Sequence, residues 1–235
     1  MKKKGLVILF ISLLLTSLLT SRTFKKIKIE DIYIRGSKLL TNEDIIKNSS
    51  LNLNTPLIFV KTKYIERQLK KNLSLENVSI SREILPFGLK IFIKTRKPVA
   101  YGEKIVNNKK VPGFIDQNGY FIEKKFIDKK FTKRLSTSVF GWKEIYINTI
   151  SEILNLIDKY DFEFININFS PNGFLTIEEK SLKRILLGLD KMMIKVQLQS
   201  LKNIKNQLKE KKLLDRIDYI DLTDPKNPII KVFKP

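Results

Sequence analysis

The 235-residue sequence contains no cysteine and no histidine. Without cysteine there are no disulfides, thiolate zinc sites or thiol nucleophiles, and without histidine no mechanism can turn on an imidazole. The absence of cysteine is silent on redox compartment, but it agrees with domains that need no covalent staple. Glycine and alanine are scarce while lysine, asparagine and isoleucine abound, the bias of an A/T-rich coding sequence. No Arg-rich arm, no Gly/aromatic motif for stacking bases and no internal repeat is present. A hydrolase lacking histidine and cysteine would need a serine–lysine or carboxylate pair. No S-x-x-K stands in a convincing context, and Ser181-Leu182-Lys183 has the wrong spacing.

Apolar residues make up 43% of the chain, enough to build a packed core. Net charge is +21, from 45 Lys and Arg against 24 Asp and Glu. Such a balance suits nucleic acid or an anionic membrane surface. The lysines are scattered, which argues against nucleic acid.

Lys2, Lys3 and Lys4 precede an uncharged apolar run over residues 5–21. As a helix this run spans about 25 Å, slightly short of a hydrocarbon core of about 30 Å. It reads as a signal peptide or an uncleaved anchor. No A-x-A site follows, and cleavage after Ser21 would put Leu19 where a small residue is wanted, so the anchor is the expected state. Arg22, Lys25, Lys26 and Lys28 nearly balance the leading lysines, but large domains translocate largely regardless of charge. We expect a cytoplasmic tail (residues 1–4), a transmembrane helix (5–21) and the remainder outside, with the flanking bases at lipid headgroups. About 210 residues then remain for one or two small domains.

Residues 25–96 alternate short strand and helix patterns. Ile27 and Ile29, then Ile32 and Ile34, read as one strand with a bulge at Glu30-Asp31. Thr41 is placed to cap a helix with Asp44 three residues on and Ile45 and Ile46 apolar. A second helix is expected over 62–72, with Ile65, Leu69 and Leu73 on one face. Val78 and Ile80, then Leu89, Ile91 and Ile93, mark two strands joined by Leu85-Pro86-Phe87-Gly88. The order β-α-α-β-β gives an α+β layer.

Residues 97–235 are richer in strands. Asn118-Gly119 predicts a hairpin between 114–116 and 120–122. Ile145 and Ile147 read as a strand end, and 149–160 as a helix with Ile150, Ile153, Leu154 and Ile157 inward. Ile165, Ile167 and Phe169 alternate into the turn Ser170-Pro171-Asn172-Gly173, from which Leu175 and Ile177 return. A long basic helix over 191–212 buries Ile194, Leu198, Leu201 and Leu208. Two strands close the chain, 217–222 and 229–233. Asp116 and Asn118 resemble the start of a calcium loop, but the required downstream Gly and Glu are missing and the turn accounts for both. Glu178, Glu179, Asp215 and Asp218 lack a nucleophile or pocket partner and are expected at solvated ends. Trp142 is expected in a core or domain junction rather than as an exposed binding aromatic.

Ile32-Tyr33-Ile34-Arg35-Gly36-Ser37, residues 41–46 and residues 78–86 resemble a POTRA domain, the polypeptide-transport-associated module. Arg96-Lys97-Pro98-Val99-Ala100, the stretch 114–121 with its D-x-x-G hairpin, Leu187-Gly188-Leu189 before a Lys-rich helix, and Ile220-Asp221-Leu222 are similar to the FtsQ/DivIB family of bacterial cell-division proteins. Thr95 and Thr223 depart from that family's usual Glu and Arg. The resemblance implies a POTRA-like domain (25–96) and a strand-rich antiparallel β domain with flanking helices (97–235). It also implies a non-catalytic divisome scaffold without cofactor, metal, small-molecule substrate or nucleic acid. Such a protein is bitopic in the inner membrane at the septum, N-terminus cytoplasmic, C-terminal domain periplasmic. Its partners are divisome membrane proteins, coiled-coil proteins of the FtsB/FtsL type, which add a strand to the last strand of the domain. The resemblance places that contact on Ile229, Ile230, Lys231, Val232 and Phe233, bracketed by Pro228 and Pro235. Two other readings stand beside it. A POTRA-bearing periplasmic component of an outer-membrane transport system usually continues into a barrel, for which too little chain remains. Alternatively the final strand is an ordinary internal one with Phe233 in the core.

Overall fold

The computed structural model describes residues 2–233 apart from 38, 128 and 134; Pro235 and the side chains of Lys2–Lys4 lie outside the described residues. The chain divides after Arg96 into two compact units.

In the first unit, α1 (Lys2–Thr23) carries exposed apolar side chains, among them Val7, Phe10, Leu13 and Leu15. Its 22 residues correspond to about 33 Å, but the uncharged portion is shorter. Among the described residues no helix is long and apolar enough to cross a membrane. Then come β1 (Ile32–Arg35), α2 (Asn42–Lys47), α3 (Thr62–Asn72), β2 (Asn77–Ile84) and β3 (Phe87–Lys94). The sheet order is β1-β3-β2, with β1 parallel and β2 antiparallel to β3. Val78 and Ile80 on β2 and Leu89, Ile91 and Ile93 on β3 alternate inward, where Ile45, Ile65, Leu69 and Leu73 are also buried. Thr41 caps α2 as its sequence predicts. Its Oγ1 accepts the Asp44 N–H at 3.2 Å, and Asp44 Oδ2 accepts the Thr41 N–H at 2.9 Å.

Ile27 and Ile29 are not in a strand. Asp31 Oδ2 accepts the Lys28 N–H at 2.9 Å, and Asn42 Nδ2 donates to Ile29 O at 3.0 Å. These bonds satisfy the backbone locally and hold Ile29–Asp31 as a 3-10 turn, leaving β1 to begin at Ile32.

The second unit comprises β4 (Pro98–Val106), β5 (Lys109–Asp116), β6 (Phe121–Glu123), β7 (Ser138–Trp142), α4 (Ile147–Tyr160), β8 (Phe164–Phe169), β9 (Leu175–Glu179), β10 (Lys183–Gly188), α5 (Ile194–Glu210), β11 (Ile217–Asp221) and β12 (Ile229–Val232). The described strands form one sheet in the order β12-β11-β10-β9-β8-β7-β4-β5-β6. This sheet is mixed, not antiparallel. β4 with β7, β7 with β8, and β10 with β11 run parallel. The physical reason lies in the helices: α4 joins β7 to β8 and α5 joins β10 to β11, and a parallel pair requires a crossover of this length. A shared core includes Ile150, Ile153 and Leu154 of α4, Leu198 and Leu201 of α5, and the inward side chains of β8, β9 and β10.

Further local corrections follow from named contacts. Glu144–Tyr146 forms a 3-10 turn leading into α4, so Ile145 and Ile147 do not end a strand. Tyr146 takes the buried position, stacked on Phe169 with ring centroids 4.3 Å apart, while Ile145 is 77% exposed. A bulge between Phe164 and Asn166 moves Phe164 into the core and Ile165 to the outside. The basic helix opens with a 3-10 turn, Lys191–Met193, before α5 proper.

Candidate partner-binding edge

The predicted contact residues lie at one extreme of the second unit's sheet. β12 pairs antiparallel with β11, with Asp221 opposite Ile229, Ile220 opposite Ile230, Tyr219 opposite Lys231 and Ile217 opposite Val232. Among the described residues β12 has no neighbour on its other side. All four of its residues are exposed, and Phe233 just beyond is 55% exposed rather than in the core. Phe233 donates its N–H to Arg216 O at 2.9 Å, so its backbone faces β11. Main-chain polar groups alternate along an antiparallel strand, so Ile229 and Lys231 also face β11. Ile230 and Val232 therefore turn their N–H and C=O groups to the open side.

Side chains steady this short strand. Lys231 Nζ lies 3.3 Å from the Asp218 carboxylate and 5.3 Å from the Tyr219 ring centre. The connector from β11 is a set of side-chain-bonded turns. Asp221 Oδ1 accepts from Thr223 N at 2.9 Å and Thr223 Oγ1 at 2.7 Å; Asp224 Oδ1 accepts from Lys226 N at 3.0 Å. The Asn227 amide, bonded to Asp224 Oδ2 at 2.9 Å, and the backbone N–H groups hold the Asp224 carboxyl below its ordinary range.

Beneath the edge, Gln197 of α5 is fully buried and donates Nε2 to both Leu187 O (2.7 Å) and Leu222 O (2.8 Å). One amide thus ties the end of β10 and the end of β11 to the helix. Among the described residues its Oε1 has no hydrogen-bond partner. No sequence pattern singled out Gln197, because a glutamine in a basic helix looks like solvent-facing surface.

The remaining candidates have structural partners. Asp116 Oδ1 accepts from Asn118 N (3.0 Å) and Tyr120 N (2.8 Å), while Gly119 O accepts Trp142 Nε1 at 2.9 Å. Gly119 has φ +79°, and a Cβ there would stand 2.2 Å from Ile147 O, so only glycine fits the turn against α4. Trp142 is half-buried on Phe121. Glu179 is buried, not solvated: Lys205, Ser181 and Leu182 all donate to it.

On the sheet's outer face a concavity of 740 Å³ is lined in part by Glu103, Lys110, Asn166, Glu178 and Arg184. Its carboxylates are engaged, Glu178 by Asn166 at 2.6 Å and Glu103 by Lys110 at 3.1 Å. Among the described residues no three His, Cys, Asp or Glu gather as metal ligands would.

Comparison with known proteins bears on both units. The family described as POTRA domain, FtsQ-type, matches residues 27–96. Cell division protein FtsQ of Rickettsia felis and that of Rickettsia conorii are each 30% identical over 111 residues, 47% of this chain and 40% of theirs. Cell division protein DivIB of Clostridium acetobutylicum is 28% identical over 95 residues, 40% of this chain and 36% of its own. These matches support an FtsQ/DivIB family protein. The FtsQ-type POTRA domain is the β1-α2-α3-β2-β3 layer of the first unit. The matched stretch spans about two-fifths of the FtsQ and DivIB relatives' own length.

Proposed function

We propose that this chain is a non-enzymatic cell-division scaffold, held in the inner membrane by α1 with its N-terminus cytoplasmic and the POTRA domain and the second unit outside. In this reading it binds divisome membrane proteins, coiled-coil partners of the FtsB/FtsL type, by accepting a strand along β12. The observation that carries the reading is the outer side of β12, which is unpaired among the described residues. Unsatisfied backbone groups on a strand edge can be completed by another chain, and alternate side chains then select the partner. The names of the FtsQ and DivIB relatives support the cell-division role.

The apolar, exposed surface of α1 supports the anchor in this reading. Its uncharged run falls a few ångströms short of the hydrocarbon thickness, a mismatch that snorkelling lysines and local thinning of the bilayer accommodate. In this reading β12 is presented outside the membrane to the extracytoplasmic part of the partner.

The test compares the full chain, Phe233→Asp and a deletion of residues 229–235 in partner pull-down from membranes. Thermal unfolding shows whether each variant is folded. We expect both variants to fold and to lose capture, with Phe233→Asp costing about 2 kcal/mol if Phe233 is a binding hot spot. Full capture by the folded deletion would remove the edge mechanism.

A further inference from the structure

The first unit exposes four large apolar side chains near the end of α1: Phe24 (53%), Ile58 (44%), Phe59 (62%) and Leu85 (68%). They come from three separate stretches of chain, gathered by specific contacts. Arg22 Nη1 donates to Ile84 O at 3.2 Å, holding the end of α1 to the β2–β3 turn. Lys25 O accepts the Leu57 N–H at 3.1 Å, bringing the 57–59 turn alongside. Phe24 and Phe59 meet edge to face, centroids 6.1 Å apart, and Lys25 Nζ stands 4.8 Å from the Phe87 ring centre. Isolated exposed apolar residues are ordinary, but a contiguous group marks a contact surface.

We propose that this corner seats on an anionic bilayer, with Phe24, Ile58, Phe59 and Leu85 entering the interfacial layer and Arg22 and Lys25 meeting headgroup phosphates. The inference rests on reading α1 as the membrane anchor. Two features favour lipid over a protein occupant. The patch stands at the C-terminal end of α1, the helix whose exposed apolar side chains include Val7, Phe10, Leu13 and Leu15. Its surroundings are cationic: Lys25, Lys26 and Lys28 follow α1 and are exposed, and basic residues beside a bilayer are attracted to acidic lipids. α1 is then not a flexible tether. The POTRA domain is fixed against the membrane in one orientation, with Asn77 at the far end of β2, about 24 Å along the strand from Ile84.

The natural absence of cysteine permits a direct test. Full-length single-cysteine variants L13C, F59C, L85C and N77C are spin-labelled and reconstituted in vesicles of three parts phosphatidylcholine to one part phosphatidylglycerol. Accessibility to oxygen and to a water-soluble nickel chelate gives each label's depth. L13C should report hydrocarbon, F59C and L85C a depth of about 5–10 Å in the headgroup–acyl boundary, and N77C water. In pure phosphatidylcholine the F59C and L85C labels should shift toward water; unchanged depth would overturn the role given to Arg22 and Lys25. If L13C is in hydrocarbon while F59C and L85C match N77C, the seating proposal falls and the anchor stands. If L13C also reports water, both fall.

Discussion

Lys205 Nζ lies 2.8 Å from Glu179 Oε1, joining the middle of α5 to the last residue of β9 through a carboxylate that is only 1% exposed. Glu179 also accepts from Ser181 N at 2.6 Å, Ser181 Oγ at 2.7 Å and Leu182 N at 2.8 Å. Burial pushes its pKa upward, but Lys205, the Ser181 hydroxyl and the two N–H groups outweigh it and hold the carboxyl below its ordinary value of 4.5. Removing the carboxylate leaves several donors without an acceptor. Glu179→Ala should therefore lower unfolding free energy by about 3 kcal/mol, measured by urea denaturation.

The same group sets a pH dependence. Because the folded carboxyl titrates below the unfolded one, its contribution is fully present above the unfolded value. It is lost as pH falls through the folded value. Stability of the wild-type chain should decline below about pH 4.5 more steeply than that of Glu179→Gln. Parallel stability–pH curves for the two would show that the carboxylate is not the titrating element.

Gln197 makes a separate prediction about the candidate edge. Gln197→Met keeps the side chain's length but frees Leu187 O and Leu222 O inside the core, while also removing an orphaned oxygen. The net loss should be about 1–2 kcal/mol. Amide exchange should quicken most at the ends of β10 and β11, whose backbone this residue ties to α5. Uniform acceleration across the second unit would contradict that local role.

The alternation of backbone groups along β12 separates main-chain pairing from side-chain contact. Proline is tolerated on an edge strand only where its missing N–H faces outward. Ile230→Pro and Val232→Pro should leave the unit folded and reduce partner binding at least tenfold. Lys231→Pro strikes the β11 ladder and should lower the melting temperature itself. Calorimetry together with binding titration distinguishes the two classes.

The POTRA layer was legible because its code is local. Thr41 and Asp44 announce a cap, Ile65, Leu69 and Leu73 a helical stripe, and Val78 to Ile93 a period of two. The larger sheet was harder to read. The 98–106 strand carries few strong alternations, and its turn, Asn107-Asn108, takes left-handed φ values of 49° and 58° without a glycine to signal it. Strands 138–142 and 183–188 are short, with only Val139 buried in the first and Ile185, Leu187 and Gly188 in the second, so neither carries a long alternation to read. Parallel pairing depends on which strands α4 and α5 bring together, a long-range fact that no local window contains. Glu179 and Gln197 were misread or missed for a related reason: a polar side chain looks like surface until its buried partners arrive from elsewhere in the chain. Ile229–Val232 shows the converse. Its apolar character fits core and open edge equally, and only the sheet order reveals that it lies at the margin.

The most direct test of the account places a photo-crosslinking amino acid at Ile229, Ile230, Val232 and Phe233 in turn in dividing cells, with the half-exposed Glu123 on β6 at the opposite margin as the control. The trapped protein is identified by mass spectrometry. The account predicts adducts to a single-pass membrane partner from the β12 positions, varying with the two-residue period of a paired strand, and none from Glu123. Absence of adducts along β12 while another surface of the folded chain traps such a partner would contradict it.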